Sequence, residues 1–266
     1  MKRSFSLTLT FFSFFFFIHL VCVAVAAQAN DHPVHIGFKA GASLPNLVGS
    51  SSQEITKDYK SRLAFNFGGF VDIGIKKKIS LQLGLDYSPQ GGKRNGMQPI
   101  TSPLPGLPAL PAGQYYFAKF NNTAKLNYLE LPVMLKYRGR ADKSVGYYFD
   151  GGLYFGYLLK ATTITSGTSG VYLDKAGTIP ILLPPNGTPL VVPFDATTKV
   201  TSSLHRFNFG FTGGGGMTFN QDNGGYFFLD GRVAYGLTTL QKNTATDGKS
   251  RTGNLVFSFG YSFKAR

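Results

Sequence analysis

The stretch Lys125–Gly139, "KLNYLELPVMLKYRG", decides the fold, because its apolar residues recur at every second position. One face of the stretch carries Leu129, Leu131, Val133, Leu135 and Tyr137, and the other carries Glu130, Lys136 and Arg138. A period of two is typical of a β-strand with one apolar face. The stretch is also long enough to cross a bilayer as a tilted strand.

Pro132 interrupts this strand near its centre. Proline has no backbone N–H, so within a closed sheet it removes one hydrogen bond from the ladder. The sequence therefore predicts a local break in strand pairing at Pro132.

Eight segments of the chain carry the same alternation, and most are longer than the usual strand of about five or six residues. They suit the roughly 9–11 residues that a tilted strand needs to cross a bilayer. The segments are 35–43, 62–75, 79–91, 123–138, 146–161, 204–219, 226–238 and 253–264.

The connections between these segments alternate strictly between long and short. The short ones are 76–78, 139–145 and 220–225, and the long ones are 44–61, 92–122, 162–203 and 239–252. Short periplasmic turns and long outer loops are the signature of an outer-membrane barrel. We therefore predict an all-β fold, an eight-stranded antiparallel up-and-down transmembrane β-barrel spanning residues 30–266.

Alternation alone does not tell the inside of a barrel from the outside, so a soluble barrel is the alternative. Two features favour the membrane version: the apolar face is the bulkier one, and its aromatic residues gather near strand ends, as in an aromatic girdle. The predicted girdle comprises Tyr87, Tyr137, Tyr147, Tyr157, Phe219, Tyr235 and Phe263.

Residues 1–29 have the layout of a secretory signal peptide, with a basic start, an apolar run and small residues before a cleavage point after Ala27 or Ala29. A retained membrane anchor is the alternative. Export together with the predicted barrel leads us to expect the protein in the outer membrane of a Gram-negative bacterium. Cys22, the one cysteine, would leave with the signal, which excludes disulfides, cysteine-ligated metals and a cysteine nucleophile.

The mature chain is basic. Removing Lys2 and Arg3 from 27 Lys+Arg leaves 25 against 13 Asp+Glu, a net charge of +12. The charge is dispersed and the protein is exported, so we interpret it as a solvated or lipid-headgroup-facing surface and expect no nucleic-acid partner. We expect outer-membrane lipid around a monomeric barrel.

The face opposite the apolar one collects charges that would point into the lumen. An eight-stranded interior has room for side chains and not for an aqueous channel, so we expect a paired structural network and no steady conductance in planar bilayers. An ion path or proton relay is the alternative. The predicted network comprises Asp72, Asp86, Glu130, Lys136, Arg138, Asp150, Arg206, Asp230 and Arg232, with Lys39 and Lys160 on the same face.

Two long connections are rich in proline and apolar residues without alternation. Segments 92–122 and 162–203 together hold ten of the 14 prolines. Such segments suit pre-ordered docking of a protein partner; the alternatives are mutual packing as a cap over the barrel mouth, or disorder. "VYLD" and "PLVVPF" within 162–203 are candidates for an extra hairpin.

Catalytic signatures are weak. After signal cleavage the histidines are His32, His35 and His205, and none has a recognisable spacing to an acid and a nucleophile. The best candidate group is His205 with Asp195 and Ser203, at the outer rim. We expect no enzymatic activity, no cofactor and no metal site, and keep a narrow solute channel and a rim-active enzyme as alternatives.

"LQLGLDYSPQGGK" at 81–93, "LNYLELPVMLKY" at 126–137 and "GGLYFGYLL" at 151–159 follow each other in order. Together they resemble the outer-membrane β-barrel domain of the PorT-like family of Gram-negative bacteria, of the Bacteroidetes type. The resemblance implies an eight-stranded outer-membrane barrel, and a structural or partner-binding role linked to protein secretion or assembly at that membrane.

Overall fold

The computed structural model describes residues 33–49, 53–111, 113–140 and 144–265. The predicted signal peptide, residues 1–29, lies outside them and stays a prediction. No helix within the described ranges is long and apolar enough to cross a membrane.

The structure is built almost entirely from β-strands. Eight long strands form the wall: β1 (Val34–Ser43), β3 (Ala64–Lys76), β4 (Ile79–Pro99), β5 (Phe117–Gly139), β6 (Val145–Ser166), β12 (Phe207–Asn220), β13 (Tyr226–Gly236) and β14 (Ser250–Lys264). Shorter strands lie on the outer side: β2 (Asn46–Gly49), β7 (Thr168–Tyr172), β8 (Leu182–Leu183), β9 (Thr188–Pro189), β10 (Val191–Pro193) and β11 (Ala196–Lys199), followed by a 3-10 turn, Thr201–Ser203.

The wall closes on itself. Each long strand pairs antiparallel with the next along the chain, and β1 pairs with both β3 and β14, where Val34 lies opposite Ile73 and His35 opposite Lys264. Closure leaves no unpaired wall edge, which is the condition for a β-structure in lipid. The predicted eight-stranded antiparallel barrel is confirmed.

The apolar face points outward. Phe65 and Phe207 are 77% and 70% exposed, and most large side chains of their face are exposed as well. The opposite face is buried, although it carries most of the charge of the wall. This inside-out arrangement is the reverse of a soluble barrel and matches a wall that is solvated by lipid.

Three strands continue well past the predicted wall. The expected loop 92–122 is partly strand, because β4 runs to Pro99 and β5 begins at Phe117, and these ends of the two strands pair with each other. The expected loop 162–203 contains the end of β6 and five short strands. Its predicted hairpin is present only in part: β10, from "PLVVPF", pairs with residues 168–170 of β7, and "VYLD" contacts "PLVVPF" through the hydrogen bond from the Val171 N–H to the Leu190 carbonyl.

The predicted break at Pro132 is confirmed on one side of the strand. The β4–β5 ladder skips from Leu83–Val133 to Asp86–Glu130 without a change of register, whereas Pro132 stays opposite Tyr154 on β6. Gly84 accommodates the proline ring, because a Cβ at Gly84 would come within 2.8 Å of Pro132 Cγ.

Candidate functional site

The inner end of the lumen is filled by an ion cluster set among aromatic rings. Asp72 accepts a hydrogen bond from Arg138, and Lys136 Nζ lies 3.3 Å from the same carboxylate. The ammonium of Lys136 also lies 4.5 Å from the centroid of the Tyr148 ring, and the guanidinium of Arg138 lies 5.0 Å from that of Tyr226. Placing the charged groups over aromatic faces compensates part of the desolvation of these cations.

The centre of the lumen is organised around Arg232. Its guanidinium donates to Asp150 at 2.8 Å and to Asp230 at 3.2 Å. The hydroxyl of Tyr148 donates to Asp230 at 2.6 Å. One cation from β13 therefore joins carboxylates from two non-adjacent wall strands, β6 and β13, across the barrel interior.

Farther out, two carboxylates face each other across neighbouring strands. Asp86 pairs with Lys39 at 2.7 Å, whereas Glu130 accepts a 3.0 Å hydrogen bond from the neutral amide of Gln90. Asp86 and Glu130 are direct cross-strand partners. Like charges in that position disfavour pairing, so Glu130 is the carboxylate that the lumen accommodates least well.

The outer end of the lumen is closed by apolar side chains. A buried cluster joins inward residues of β5 and β6 to residues of the outer connections: Leu47, Leu126, Tyr128, Leu158, Ala161 and Leu240. Below it, the Asn208 amide donates to Thr252 at 3.0 Å and to Tyr154 at 3.3 Å. The lumen thus has an aromatic layer at its inner end, ion pairs in the middle and an apolar plug at its outer end.

Little free volume remains between these layers. One cavity of about 30 Å³ borders Lys39, Glu130 and Tyr154, and a second of about 10 Å³ borders Gln82 and Lys136. Spaces of this size hold one or two waters. Several buried polar atoms here have no partner among the described residues, including Asp86 Oδ1 and Asn254 Oδ1, so internal water is the expected occupant.

Two residues assigned to the lumen from the alternation are elsewhere. Lys160 faces outward because β6 carries a bulge: Asn127 opposes Lys160 and Tyr128 opposes Leu158, so Leu159 is an extra residue that reverses the alternation. Arg206 precedes β12, is exposed, and donates to the carbonyl of Leu158 at 2.9 Å. The lumen predictions for Lys160 and Arg206 are therefore wrong.

The other lumen predictions lie inside the barrel: Asp72, Asp86, Glu130, Lys136, Arg138, Asp150, Asp230 and Arg232. The alternation missed Tyr148, Tyr154 and Gln90, which share this interior. Each lies an even number of residues from a predicted lumen carboxylate on its own strand, so the same period of two would have found them.

The predicted girdle residues lie on the outward face, and Tyr87 is partly buried. Tyr87 stacks on Phe67 at 5.1 Å between ring centroids, and Tyr157 meets Phe207 edge-on at 5.4 Å. Near the other end of the wall, Tyr137, Tyr147, Phe219 and Phe263 are exposed, as is Tyr235 at the outer end.

The suggested rim group is not assembled. His205 is exposed and its backbone N–H donates to the carbonyl of Leu240, while Asp195 accepts from the N–H of Gly167. Among the described residues, no side-chain hydrogen bond joins His205 to Asp195 or Ser203.

Glu130→Gln should leave the free energy of unfolding unchanged or raise it by up to about 1 kcal/mol, because it removes like-charge opposition and keeps the shape. The added amide can also donate to Gln90 Oε1, which has no partner among the residues that the structure describes. Asp86→Asn is the matched change, and it should destabilise because it leaves Lys39 buried without its carboxylate. Denaturant titration of the folded barrel measures both; equal losses would contradict the distinction.

The two proline-rich connections pack together on the outer side. Ile100, Ala118, Phe120 and Val171 form a buried cluster, and Phe194 stacks on Phe120 at 4.5 Å. We name residues 94–121 and 162–200 the outer extension. It has an apolar core of its own, separate from the plug that closes the lumen.

Polar contacts join the outer extension to the first outer connection. The guanidinium of Arg94 donates to the carbonyls of Glu54 and Lys57 at 2.9 and 3.1 Å. Lys175 lies 3.2 Å from the Glu54 carboxylate. Hydrogen bonds from Lys57 and Lys175 hold the pKa of Glu54 below its usual value.

A closed eight-stranded antiparallel wall with an apolar exterior and a charged, filled lumen defines an outer-membrane β-barrel protein. Residues 26–242 match the family described as outer membrane protein beta-barrel domain, and the chain belongs to that family.

Solved barrels resemble the chain at low identity. Neisserial surface protein A is 12% identical, over 86% of this chain and 96% of its own, with a TM-score of 0.38. The attachment invasion locus protein Ail of Yersinia pestis is 12% identical, over 86% and 98%, with a TM-score of 0.37. The outer membrane protease OmpT of Escherichia coli is 9% identical, over 89% and 99%, with a TM-score of 0.34. No curated protein matches the chain.

Proposed function

We propose that this protein is a non-enzymatic docking protein of the outer membrane, whose outer extension binds a protein partner. The observation that carries the proposal is a group of exposed apolar side chains on a folded support. Leu173, Ile179, Leu182, Leu183 and Val191 are 41–58% exposed although they lie beyond the lipid-facing wall.

Single exposed leucines are ordinary, but a concentration within one short region is typical of an interaction surface. The support of this surface is ordered by strand pairing and by its own core. Leu173 N–H donates to the Ile179 carbonyl at 2.9 Å, and β8 pairs with β9 directly beside them. A surface that is already ordered loses less conformational entropy on binding.

The filled lumen favours the docking role over the role of a solute channel. Ion pairs and rings occupy its cross-section at three levels, and the two cavities between them that border Lys39 and Lys136 are the size of one or two waters. The resemblance to the PorT-like family supports a partner that takes part in secretion or assembly at the outer membrane.

The double variant Leu182→Ser/Leu183→Ser should abolish partner binding while the barrel stays folded. Leu44→Ser/Val48→Ser is the matched control, since these residues are 38% and 42% exposed on another outer connection. Cross-linking in intact outer membranes, followed by quantitative mass spectrometry, identifies the proteins bound by wild type. The amount of these proteins cross-linked to the first variant should fall at least tenfold, and the amount cross-linked to the control should stay unchanged.

Heat-modifiable migration on a gel reports whether each barrel is folded. Co-purification of the same proteins, in equal amounts, by wild type and by both folded variants would overturn the docking proposal.

A further inference from the structure

Five lysines lie on the outward side of the sheet just beyond the outer aromatic residues. The register runs in one line from Tyr87 through Leu129 and Tyr157 to Phe207. Directly cross-strand residues share a face, so this line marks the outer limit of the lipid-facing wall. We name the five residues beyond it the lysine band: Lys60, Lys93, Lys125, Lys160 and Lys199.

The register fixes the height of the band. Lys160 lies opposite Asn127, two residues beyond Leu129, and Lys125 lies two residues farther, opposite Thr162. Thr162 is also opposite Lys199. At about 3.3 Å per residue, Lys160 and Lys125 lie roughly 7 and 13 Å along the strand from the aromatic line.

The uppermost pair of the band is held side by side. Lys60 and Lys93 form an isolated antiparallel bridge, with N–H to carbonyl distances of 2.7 and 2.9 Å in the two directions. Two like charges opposite each other disfavour pairing unless an anion lies between them. Both side chains are exposed.

The band lacks carboxylate partners. Within the described residues, no ion pair joins any of its five lysines to an acidic side chain. Every acidic residue of the eight wall strands points into the lumen or is buried there: Asp72, Asp86, Glu130, Asp150 and Asp230. The outward side of the eight wall strands at this height therefore carries lysines and no acidic residue.

We propose that the lysine band binds the phosphate groups of a phosphorylated glycolipid in the outer leaflet. The band continues the lipid-facing surface, so its side chains point sideways into the headgroup layer, unlike those on the tips of the outer connections. Clusters of lysines at an anionic membrane surface bind its headgroups with additive strength. This contact is separate from the partner surface on the outer extension.

The test measures binding of fluorescent diphosphoryl lipid A to the full chain in neutral detergent micelles, with the same lipid lacking both phosphates as comparison. The variant Lys93→Gln/Lys125→Gln/Lys160→Gln should bind diphosphoryl lipid A on the order of 100-fold more weakly than wild type, since each lysine contributes roughly fivefold. Wild type should bind the phosphate-free lipid about as weakly as the triple variant binds diphosphoryl lipid A.

The matched control is Lys175→Gln/Lys242→Gln/Lys249→Gln, which removes the same charge from the outer connections and should weaken binding by less than about fivefold. Equal weakening by both triple variants would overturn the proposal, as would equal affinity for the two lipids. Full displacement of lipid A by a soluble sulfated polysaccharide would assign the band to soluble polyanions and also overturn it.

Folding of each variant is checked by heat-modifiable migration. If the triple variant does not fold, Lys125→Gln and Lys160→Gln are measured singly, and each should weaken binding by about fivefold. Unchanged affinity in both single variants would contradict the proposal.

Discussion

Arg232→Met is expected to lower the free energy of unfolding by about 3–5 kcal/mol, the largest loss we expect from any single substitution in this barrel. Arg232 is buried and bonded to both Asp150 and Asp230. Its removal leaves two carboxylates without their shared cation in the lumen, where water cannot solvate them fully. Urea titration of the barrel in liposomes measures the loss.

The loss in the free energy of unfolding should come from the unpaired carboxylates of Asp150 and Asp230 and not from the missing arginine side chain. Arg232→Met combined with Asp150→Asn and Asp230→Asn should therefore return to within about 1–2 kcal/mol of wild type, because a neutral replacement of a buried ion cluster is often tolerated. Arg251→Met is the control and should change the free energy of unfolding by less than about 0.5 kcal/mol, because the Arg251 side chain is exposed and bonds to none of the described residues. If Arg232→Met is as stable as this control, the central ion cluster is not structural.

The wall could be predicted from the sequence because lipid on one side and a packed lumen on the other impose a period of two. The long strands from Val34 to Lys264 follow it within the lipid-facing region, apart from an irregularity between Gly74 and Lys76 of β3. The outer parts of β4, β5 and β6 could not be predicted, because water lies beyond the rim and removes the apolar requirement. In "GKRNGMQP", residues 92–99, the inward residues are Arg94 and Gln98, so the strand continues without any hydrophobic alternation.

Two lumen predictions failed for local reasons. A single extra residue at Leu159 reverses the alternation, and one bulge leaves no trace in composition. Lys160 therefore faces outward and belongs to the lysine band instead of the lumen. The prediction that Arg206 faces the lumen was wrong because the predicted segment began at 204, whereas β12 begins at Phe207. The partnerships inside the lumen, such as Arg232 with Asp150, depend on which non-neighbouring strands face each other, and a period of two does not specify that.

Leu229→Arg is expected to lower the free energy of unfolding by about 1–2 kcal/mol, because an arginine that faces hydrocarbon between the inner rim and the bilayer midplane must be desolvated or must deform the lipid. Leu229 lies on β13 between Phe227 and Tyr235, which mark the two rims, two residues from the first and six from the second, and it is opposite Met217 and Phe259 on the neighbouring strands. Urea titration in liposomes measures the loss.

The control for this change has the same chemistry and the same exposure outside the bilayer. Leu229 is 55% exposed and Leu173, on the outer extension, is 53% exposed. Leu173→Arg should change the free energy of unfolding by less than about 0.5 kcal/mol, because its side chain already meets water. Since the two leucines differ in solvent and not in burial by protein, the difference between the variants measures the lipid contribution at Leu229. Equal effects would mean that the wall is not embedded in lipid at this height.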